Sequence, residues 1–205
     1  MLAGPAIAGA IACDASNVMV DAQDKADSAL ACQGAQDAIN FLISQGLRVP
    51  TTLTLKIAAK LPPELPATAL GAFQRQKQLV VVISYRSFLS RRDMFRVPLD
   101  QSLYRAIVAH EVAHAIADHN FLAPPSLLAL EYIAYVTFFS SLPPAQREKI
   151  LQPYWYDPEW PLYADALYLE DHLDFGAHAY WHFVRPENGP DYFRKLLAGQ
   201  ELPLN

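Results

Sequence analysis

Residues 100–120 read DQSLYRAIVAHEVAHAIADHN, and this stretch decides how the rest of the chain is interpreted. Asp100 precedes apolar residues at helical spacing, so the segment is predicted to be one helix that begins just after it. The helix carries an HExxH motif, formed by His110, Glu111 and His114. Residues four apart lie about 40° apart around a helix. Both imidazoles therefore project from one face and can reach a single metal ion at about 2.0–2.1 Å.

Glu111 lies at the rim of that face, about 100° around the helix from His110. A carboxylate in this position can approach a water molecule beside the ion without ligating the ion, as a general base must. The alternative is that both histidines are ordinary, hydrogen-bonded side chains of a buried helix, because short motifs also arise by chance. A third metal ligand would separate these two interpretations.

Two candidate ligands lie at the end of the same helix. His119 is near the third histidine of the longer metzincin motif, but Ala117 and Asn120 stand where that motif needs glycine and histidine. The metzincin interpretation therefore fails. Asp118 lies one turn beyond His114 and could orient a ligand histidine by hydrogen bonding. A solvated surface carboxylate is the commoner role for such a residue.

Glu131 is the third candidate, and it belongs to the segment PSLLALEYIAYVTFF at 125–139. This segment is predicted to form a second helix after a turn at 123–125. A helix, a tight turn and an antiparallel helix would bring Glu131 back towards His114.

The order of these two helices resembles the gluzincin pattern of the peptidase MA-like group of zinc metallopeptidases. In that pattern HExxH is followed by a helix with the motif P-x-W-L-x-E-G-x-A-x-Y. The residues that correspond to it in order are Pro125, Leu128, Glu131, Ala134 and Tyr135. The resemblance is strong over 110–135 and extends more weakly over about 50–200.

The resemblance implies a zinc peptidase acting on a peptide or protein substrate. In such an enzyme His110, His114 and Glu131 would hold Zn²⁺, and Glu111 would accept the proton of the attacking water.

The implied chemistry also needs a tyrosine or histidine that stabilises the oxyanion. His178, Tyr180 and His182 share one predicted short helix, and the catalytic role is assigned to His178 or Tyr180. A second metal site between His178 and His182 is a weaker alternative, because no third ligand stands at a set spacing.

The chain departs from the gluzincin pattern at two positions. Tyr132 replaces the glycine that follows the ligand glutamate, where its side chain is expected to fill space near the metal. Tyr135 stands where thermolysin-like enzymes place a carboxylate, so it cannot supply their acidic partner. The small size of the chain and the Tyr132 substitution favour a different class of function. The substrate-binding strand motif of the aminopeptidase branch is absent near 79–85, which leaves aminopeptidase activity unsupported. The alternative function is a catalytically silent zincin-like module with a binding or structural role in the cell envelope.

The residues before 100 indicate strands and one long helix. Asp24 is the predicted N-cap of a helix that runs to about Ser44 and ends before Gly46. Strands are predicted at 17–22, 51–59, 70–75 and 79–85. The last is apolar enough to lie inside a sheet, whereas the resemblance to a zincin lobe implies that it forms the sheet edge.

The predicted fold class is therefore α+β and zincin-like. A small N-terminal mixed sheet with helices is followed by the HExxH helix and a helical C-terminal lobe. The chain is expected to form a single domain over 13–205, with lobes at about 13–121 and 122–205.

Composition limits the cellular setting. The chain has 205 residues and a net charge of −5 without a basic run, which argues against nucleic acid as a partner. It contains no apolar stretch long enough to span a bilayer. Residues 1–12 are small and apolar, like the remnant of a signal peptide without its basic start, so export is expected. Cys13 and Cys32 would then form a disulfide; two buried thiols are the alternative.

Overall fold

The structure is a computed structural model that describes residues 10–13, 17–91 and 96–200. The proposed signal-peptide remnant at 1–12 therefore lies mostly outside the described residues. Within the described ranges, five strands form one mixed sheet in the order β1-β2-β3-β5-β4. The strands are β1 Ile11–Ala12, β2 Val18–Asp21, β3 Leu53–Ala58, β4 Gly71–Gln74 and β5 Leu79–Ile83.

The pairing of these strands confirms the α+β prediction and decides which strand forms the sheet edge. β2 pairs parallel with β3, and β3 pairs parallel with β5, while β4 pairs antiparallel with β5. Val80 to Ile83 are buried because β5 lies between two strands. The prediction that this strand lies inside the sheet is thus confirmed, and its implied position at the edge is wrong. The strand at this edge is β4, and β1 forms the opposite edge of the sheet.

Helix α1 (Lys25–Ser44) and helix α3 (Gln101–Asn120) pack closely together. The Asp24 carboxylate accepts a hydrogen bond from the Ala26 amide at 2.7 Å, which caps α1 as predicted. A Cβ atom at Gly34 would lie 2.5 Å from the Arg105 carbonyl oxygen, so glycine permits the close approach. Asp100 caps α3 by accepting a hydrogen bond from the Leu103 amide at 2.8 Å.

The cysteines are joined by a disulfide, which decides between the two alternatives left by the sequence. Cys13 follows β1, Cys32 lies in α1, and their Cα atoms are 5.5 Å apart. The bond ties the start of the sheet to the helix that covers it. Disulfides of this kind persist in oxidising compartments, so the bond is consistent with an extracytoplasmic location.

The C-terminal part is mainly helical, as the sequence predicts. Helix α4 (Leu127–Ser141) runs antiparallel to α3 after the turn that contains Pro125, and helix α7 (His172–Phe183) packs against α4. None of the described helices has the length and hydropathy needed to cross a membrane. The other described α-helices are α2 Tyr85–Leu89, α5 Pro144–Leu151, α6 Ala164–Glu170 and α8 Gly189–Leu197.

Candidate metal centre

The two histidines of the HExxH motif meet on the inner face of α3. The Nε2 atoms of His110 and His114 are 3.2 Å apart, and the two ring planes are nearly perpendicular. Both side chains are largely buried. The i, i+4 spacing therefore places both ring nitrogens at a common point, as the sequence predicts.

Glu131 reaches the same point from α4. Its Oε2 atom lies 3.5 Å from the His110 Nε2, and its Oε1 atom lies 3.7 Å from the His114 Nε2. The hydroxyl of Ser126 caps the start of α4 by accepting a hydrogen bond from the Ala129 amide. The two histidines and the glutamate are grouped closely enough to hold one metal ion.

The spacing of these three groups is compatible with one shared metal ion. Ligand atoms about 2.0–2.1 Å from a tetrahedral centre lie about 3.3–3.4 Å from one another. The two histidine nitrogens are 3.2 Å apart, and they lie 3.5 and 3.7 Å from different oxygens of Glu131. With one ligand atom taken from each residue, the three atoms lie within 4.8 Å of one another. Two imidazoles and one carboxylate are also a donor set that zinc accepts, with the fourth position left for water or substrate.

The protonation of Glu131 and His110 is set by their contact. Burial raises the pKa of Glu131, but the charges of His114 and His110, with the His110 hydrogen bond, bring that pKa down to about 2. Burial lowers the pKa of His110, yet the hydrogen bond to Glu131 and the neighbouring carboxylates together raise it above its ordinary value. Glu131 is therefore ionised at neutral pH, as a metal ligand must be.

Burial acts differently on the other two residues of the motif. It lowers the pKa of His114 to about 4, so this imidazole is neutral and its lone pair is free to bind an ion. Burial also raises the pKa of Glu111 to about 7, although the charge of His110 opposes the rise. A carboxyl group with a pKa near neutrality can both accept and return a proton.

Glu111 lies against the edge strand. A Cβ atom at Gly71 would be 2.6 Å from the Glu111 Cγ and 2.8 Å from its Cδ and Oε1. These distances are too short for any side chain, so the first residue of β4 must be glycine for Glu111 to take this position. The sequence gives no signal for this contact, because it joins residues 40 positions apart in different elements.

The metal-ligand group and Glu111 line a cleft of about 830 Å³. One wall of the cleft is the edge strand β4, and the remaining lining comes largely from α4, the end of α6 and the start of α7. Arg75 and Asp118 also line it and form an ion pair at 2.7 Å. Asp118 therefore pairs with an arginine across the cleft, which is not the histidine-orienting role considered from the sequence.

His110 is held in place by Tyr135. The two rings meet edge to face with centroids 4.6 Å apart. On its other side, the Tyr135 ring lies against α7 at Gly176, where a Cβ atom would be only 2.3 Å from the ring. Tyr135 thus supports a candidate ligand histidine by packing, in a position where thermolysin-like enzymes use a carboxylate.

Tyr132 faces away from the three candidate ligands. It is fully buried, its hydroxyl lies 2.8 Å from the His182 Nδ1, and its ring stacks on Trp160. The residue therefore fills the core between α4 and α7. The expectation that Tyr132 occupies space near the metal is wrong, because successive residues of a helix point about 100° apart.

Tyr168 is a functional candidate that the sequence analysis missed. Its hydroxyl donates a hydrogen bond of 3.1 Å to the Glu131 Oε1, and its ring stacks on His172 with centroids 4.3 Å apart. Both residues line the cleft. A single tyrosine in a short helix has no characteristic spacing from HExxH, so nothing in the sequence distinguishes it.

His178 and Tyr180 do not line the cleft. The His178 Nε2 lies 3.3 Å from the Asp174 Oδ1, and the His178 ring stacks on Trp160. Tyr180 packs on Phe139. The structure therefore does not bring the two predicted oxyanion-stabilising residues to the candidate ligands, because both side chains are buried against other residues of the helical core.

His182 does not join His178 in a metal site. Its Nδ1 is hydrogen-bonded to the Tyr132 hydroxyl, and its ring lies edge to face with Tyr192, with centroids 4.5 Å apart. Burial lowers the pKa of His182 to about 4, so the imidazole is neutral. The described residues contain one group of three or more metal-ligating side chains, the group of His110, His114 and Glu131.

An HExxH helix, a following helix that supplies a glutamate, and a cleft bounded by an edge strand are compatible with a zincin-like site. The chain belongs to a family of unknown function, DUF6639, whose model matches residues 18–203. Comparison with curated proteins and with solved structures gave no match. The family therefore assigns no chemistry, and the function has to be argued from the site.

Proposed function

We propose that the protein is a zinc-dependent hydrolase of the gluzincin type that cleaves peptide bonds. The observation that carries the proposal is the convergence of His110, His114 and Glu131 on one point beside a buried carboxylate, Glu111. A zinc ion bound there would polarise the scissile carbonyl and make a water molecule a better nucleophile at neutral pH.

Glu111 is the general base of the proposed reaction. Its carboxylate accepts a proton from the attacking water as the new bond from oxygen to the carbonyl carbon forms. It then returns that proton to the nitrogen of the leaving amine as the carbon–nitrogen bond breaks. Burial raises the pKa of Glu111, which favours return of the proton to the leaving nitrogen.

Tyr168 is proposed as the group that stabilises the oxyanion, in place of His178 or Tyr180. Its hydroxyl already lies within hydrogen-bonding distance of Glu131 and faces the cleft. Burial, followed by the charge of Glu131, raises its pKa, so the phenol keeps its proton and remains a hydrogen-bond donor. The single O–H proton is donated to Glu131 in the structure, so in the proposed reaction the hydroxyl would turn from Glu131 to the oxyanion as the negative charge develops. A donor at that position lowers the barrier to acyl transfer.

The edge strand supports a peptide as the substrate class. β4 pairs with β5 on one side, and the cleft runs along it. An extended peptide can add to an exposed sheet edge through main-chain hydrogen bonds, which recognise the backbone whatever its sequence. Such pairing would hold a peptide bond beside Gly71 and Glu111. The disulfide supports an exported substrate, because the bond favours an oxidising compartment.

The experiment compares the zinc-loaded wild-type protein with Glu111→Gln on a mixed peptide library read by mass spectrometry. Glu148→Gln is the matched control, because Glu148 is an exposed helical residue away from the cleft. Zinc content is measured for all three proteins. We expect cleavage by the wild type and the control, and its loss in Glu111→Gln with zinc retained.

Two other outcomes would contradict the proposal. Zinc binding without cleavage that depends on Glu111 would favour the catalytically silent binding or structural module. Absence of zinc binding would remove both zinc-based functions and leave a pair of buried histidines in a helical core.

A further inference from the structure

The cleft has an apolar wall that begins one helical turn from the candidate metal ligands. Leu127 and Leu130 lie four and one positions before Glu131 on α4, and both line the cleft. Four residues of a helix span about 6 Å. This wall therefore lies within reach of a substrate side chain that is next to the scissile peptide bond. Leu127 is 58% exposed although it is a large apolar residue.

The end of α6 and the start of α7 extend the same wall. Leu169 follows Tyr168 directly in α6, lines the cleft and is 83% exposed, while Leu173 in α7 lines it four residues later. Single exposed leucines are common on protein surfaces, but leucines from three separate helices that converge on one cleft are typical of a binding surface.

The charges in the cleft disfavour an acidic ligand. Among the described lining residues, five carboxylates stand against a single arginine, Arg75, which is already paired with Asp118. A bound zinc ion would offset two of these charges and leave the cleft acidic on balance. The exposed Glu170 directly follows Leu169 and so borders the apolar wall. A negatively charged side chain on the wall would therefore lose its hydration and meet like charge, whereas an apolar one would cover the leucines. The five carboxylates are Glu111, Asp118, Glu131, Glu170 and Asp171.

We infer that this wall is a specificity subsite for a bulky apolar side chain of the substrate, adjacent to the scissile bond. The inference rests on the proposed peptidase function and adds the class of residue that the site selects. Leucine and phenylalanine fit the wall, and aspartate is rejected. Pockets that discriminate by apolar contact give preferences of about 10- to 200-fold for each apolar group that the substrate gains or loses.

The test uses a set of end-blocked peptides of alanine and glycine that differ at one central position, which is Leu, Phe, Ser or Asp. Cleavage by the zinc-loaded protein is followed by mass spectrometry, which gives both the rate and the cleaved bond. We expect kcat/KM to be at least about tenfold higher for Leu and Phe than for Asp, with cleavage next to the varied residue.

A matched pair of variants assigns the preference to the wall. Leu169→Asp changes a cleft-lining leucine that is 83% exposed, and Leu122→Asp changes a leucine that is 80% exposed and does not line the cleft. Both side chains are largely in solvent, so both variants should fold, which circular dichroism verifies. The preference is the ratio of kcat/KM for the Leu peptide to kcat/KM for the Asp peptide. We expect this ratio to be at least about fivefold lower in Leu169→Asp than in Leu122→Asp.

Binding gives a second readout that does not depend on turnover. Zinc-loaded Glu111→Gln should bind the Leu peptide, labelled with fluorescein, at least about tenfold more tightly than the Asp peptide. Cleavage of all four peptides at similar rates, or preference for Asp, would overturn the inference and leave the peptidase proposal intact. Cleavage of none of them would overturn both.

Discussion

Replacement of Tyr168 by phenylalanine removes one hydroxyl beside the candidate metal ligands and leaves the ring in place. That hydroxyl donates to the Glu131 Oε1 at 3.1 Å, and the ring is held between His172 and Phe175. Because the aromatic packing is unchanged, the substitution tests the hydrogen bond alone. We expect Tyr168→Phe to weaken zinc binding without unfolding the protein, because the carboxylate loses the group that fixes its orientation.

The expected size of the effect follows from the geometry of the hydrogen bond. Loss of a partner that orients a metal ligand lowers metal affinity by about 10- to 100-fold. The oxygen–oxygen distance of 3.1 Å is long for a bond from a hydroxyl to a carboxylate. We therefore expect a loss near the lower end, about tenfold, which corresponds to about 1.4 kcal/mol.

Zinc affinity is measured by competition with a chromophoric chelator at fixed pH. Tyr163→Phe is the matched control, because its hydroxyl also donates to a carboxylate, that of Asp157, but the residue does not line the cleft. The control should bind zinc like the wild type. If Tyr168→Phe also bound zinc as tightly as the wild type, the reasoning that Tyr168 orients a metal ligand would be refuted.

Three further predictions concern the edge strand, the helical core and the disulfide. Gly71→Ala places a methyl group within 2.8 Å of Glu111 atoms, so the Glu111 side chain must move. Because the general base is then displaced, kcat/KM for peptide cleavage should fall at least about 100-fold while the zinc content stays unchanged. The pKa of His182 is lowered to about 4, so the unfolded chain takes up a proton between pH 7 and 5 while the folded protein does not. Between pH 7 and 5, the free energy of unfolding in urea should therefore fall by about 2 kcal/mol more in the wild type than in His182→Gln. An equal fall in both proteins would show that burial near Tyr132 does not exclude the proton. Cys13→Ser opens a disulfide between residues 19 positions apart, and the free energy of unfolding in urea should fall by about 3 kcal/mol; no change would show that the bond constrains nothing.

The parts of the site that the sequence predicted are those that a helix repeat determines. His110 and His114 share a helix face because of their spacing, and Glu131 returns to them because a short turn between helices makes those helices antiparallel. These relations depend on local geometry and short connections. For the same reason, four of the five described strands and the capping of α1 and α3 were predicted correctly, whereas the two-residue strand β1 was not predicted.

The parts that the sequence did not predict depend on contacts between distant elements. The order of strands in the sheet places β4 at the edge, although β5 follows it in the chain. The Glu111 contact with Gly71 follows from that order. Whether His178 or Tyr168 reaches the cleft depends on how α7 and α6 are rotated against α4, and helical periodicity gives no information about that rotation.

The central claim is that two imidazoles and one carboxylate bind a single zinc ion, and X-ray absorption spectroscopy of the zinc-loaded protein tests it most directly. The account predicts one ion per chain with two histidine nitrogens and carboxylate oxygen at about 2.0–2.1 Å. It also predicts that the histidine contribution drops by half in His114→Ala. A zinc spectrum without imidazole ligands, or one that is unchanged in His114→Ala, would contradict the account.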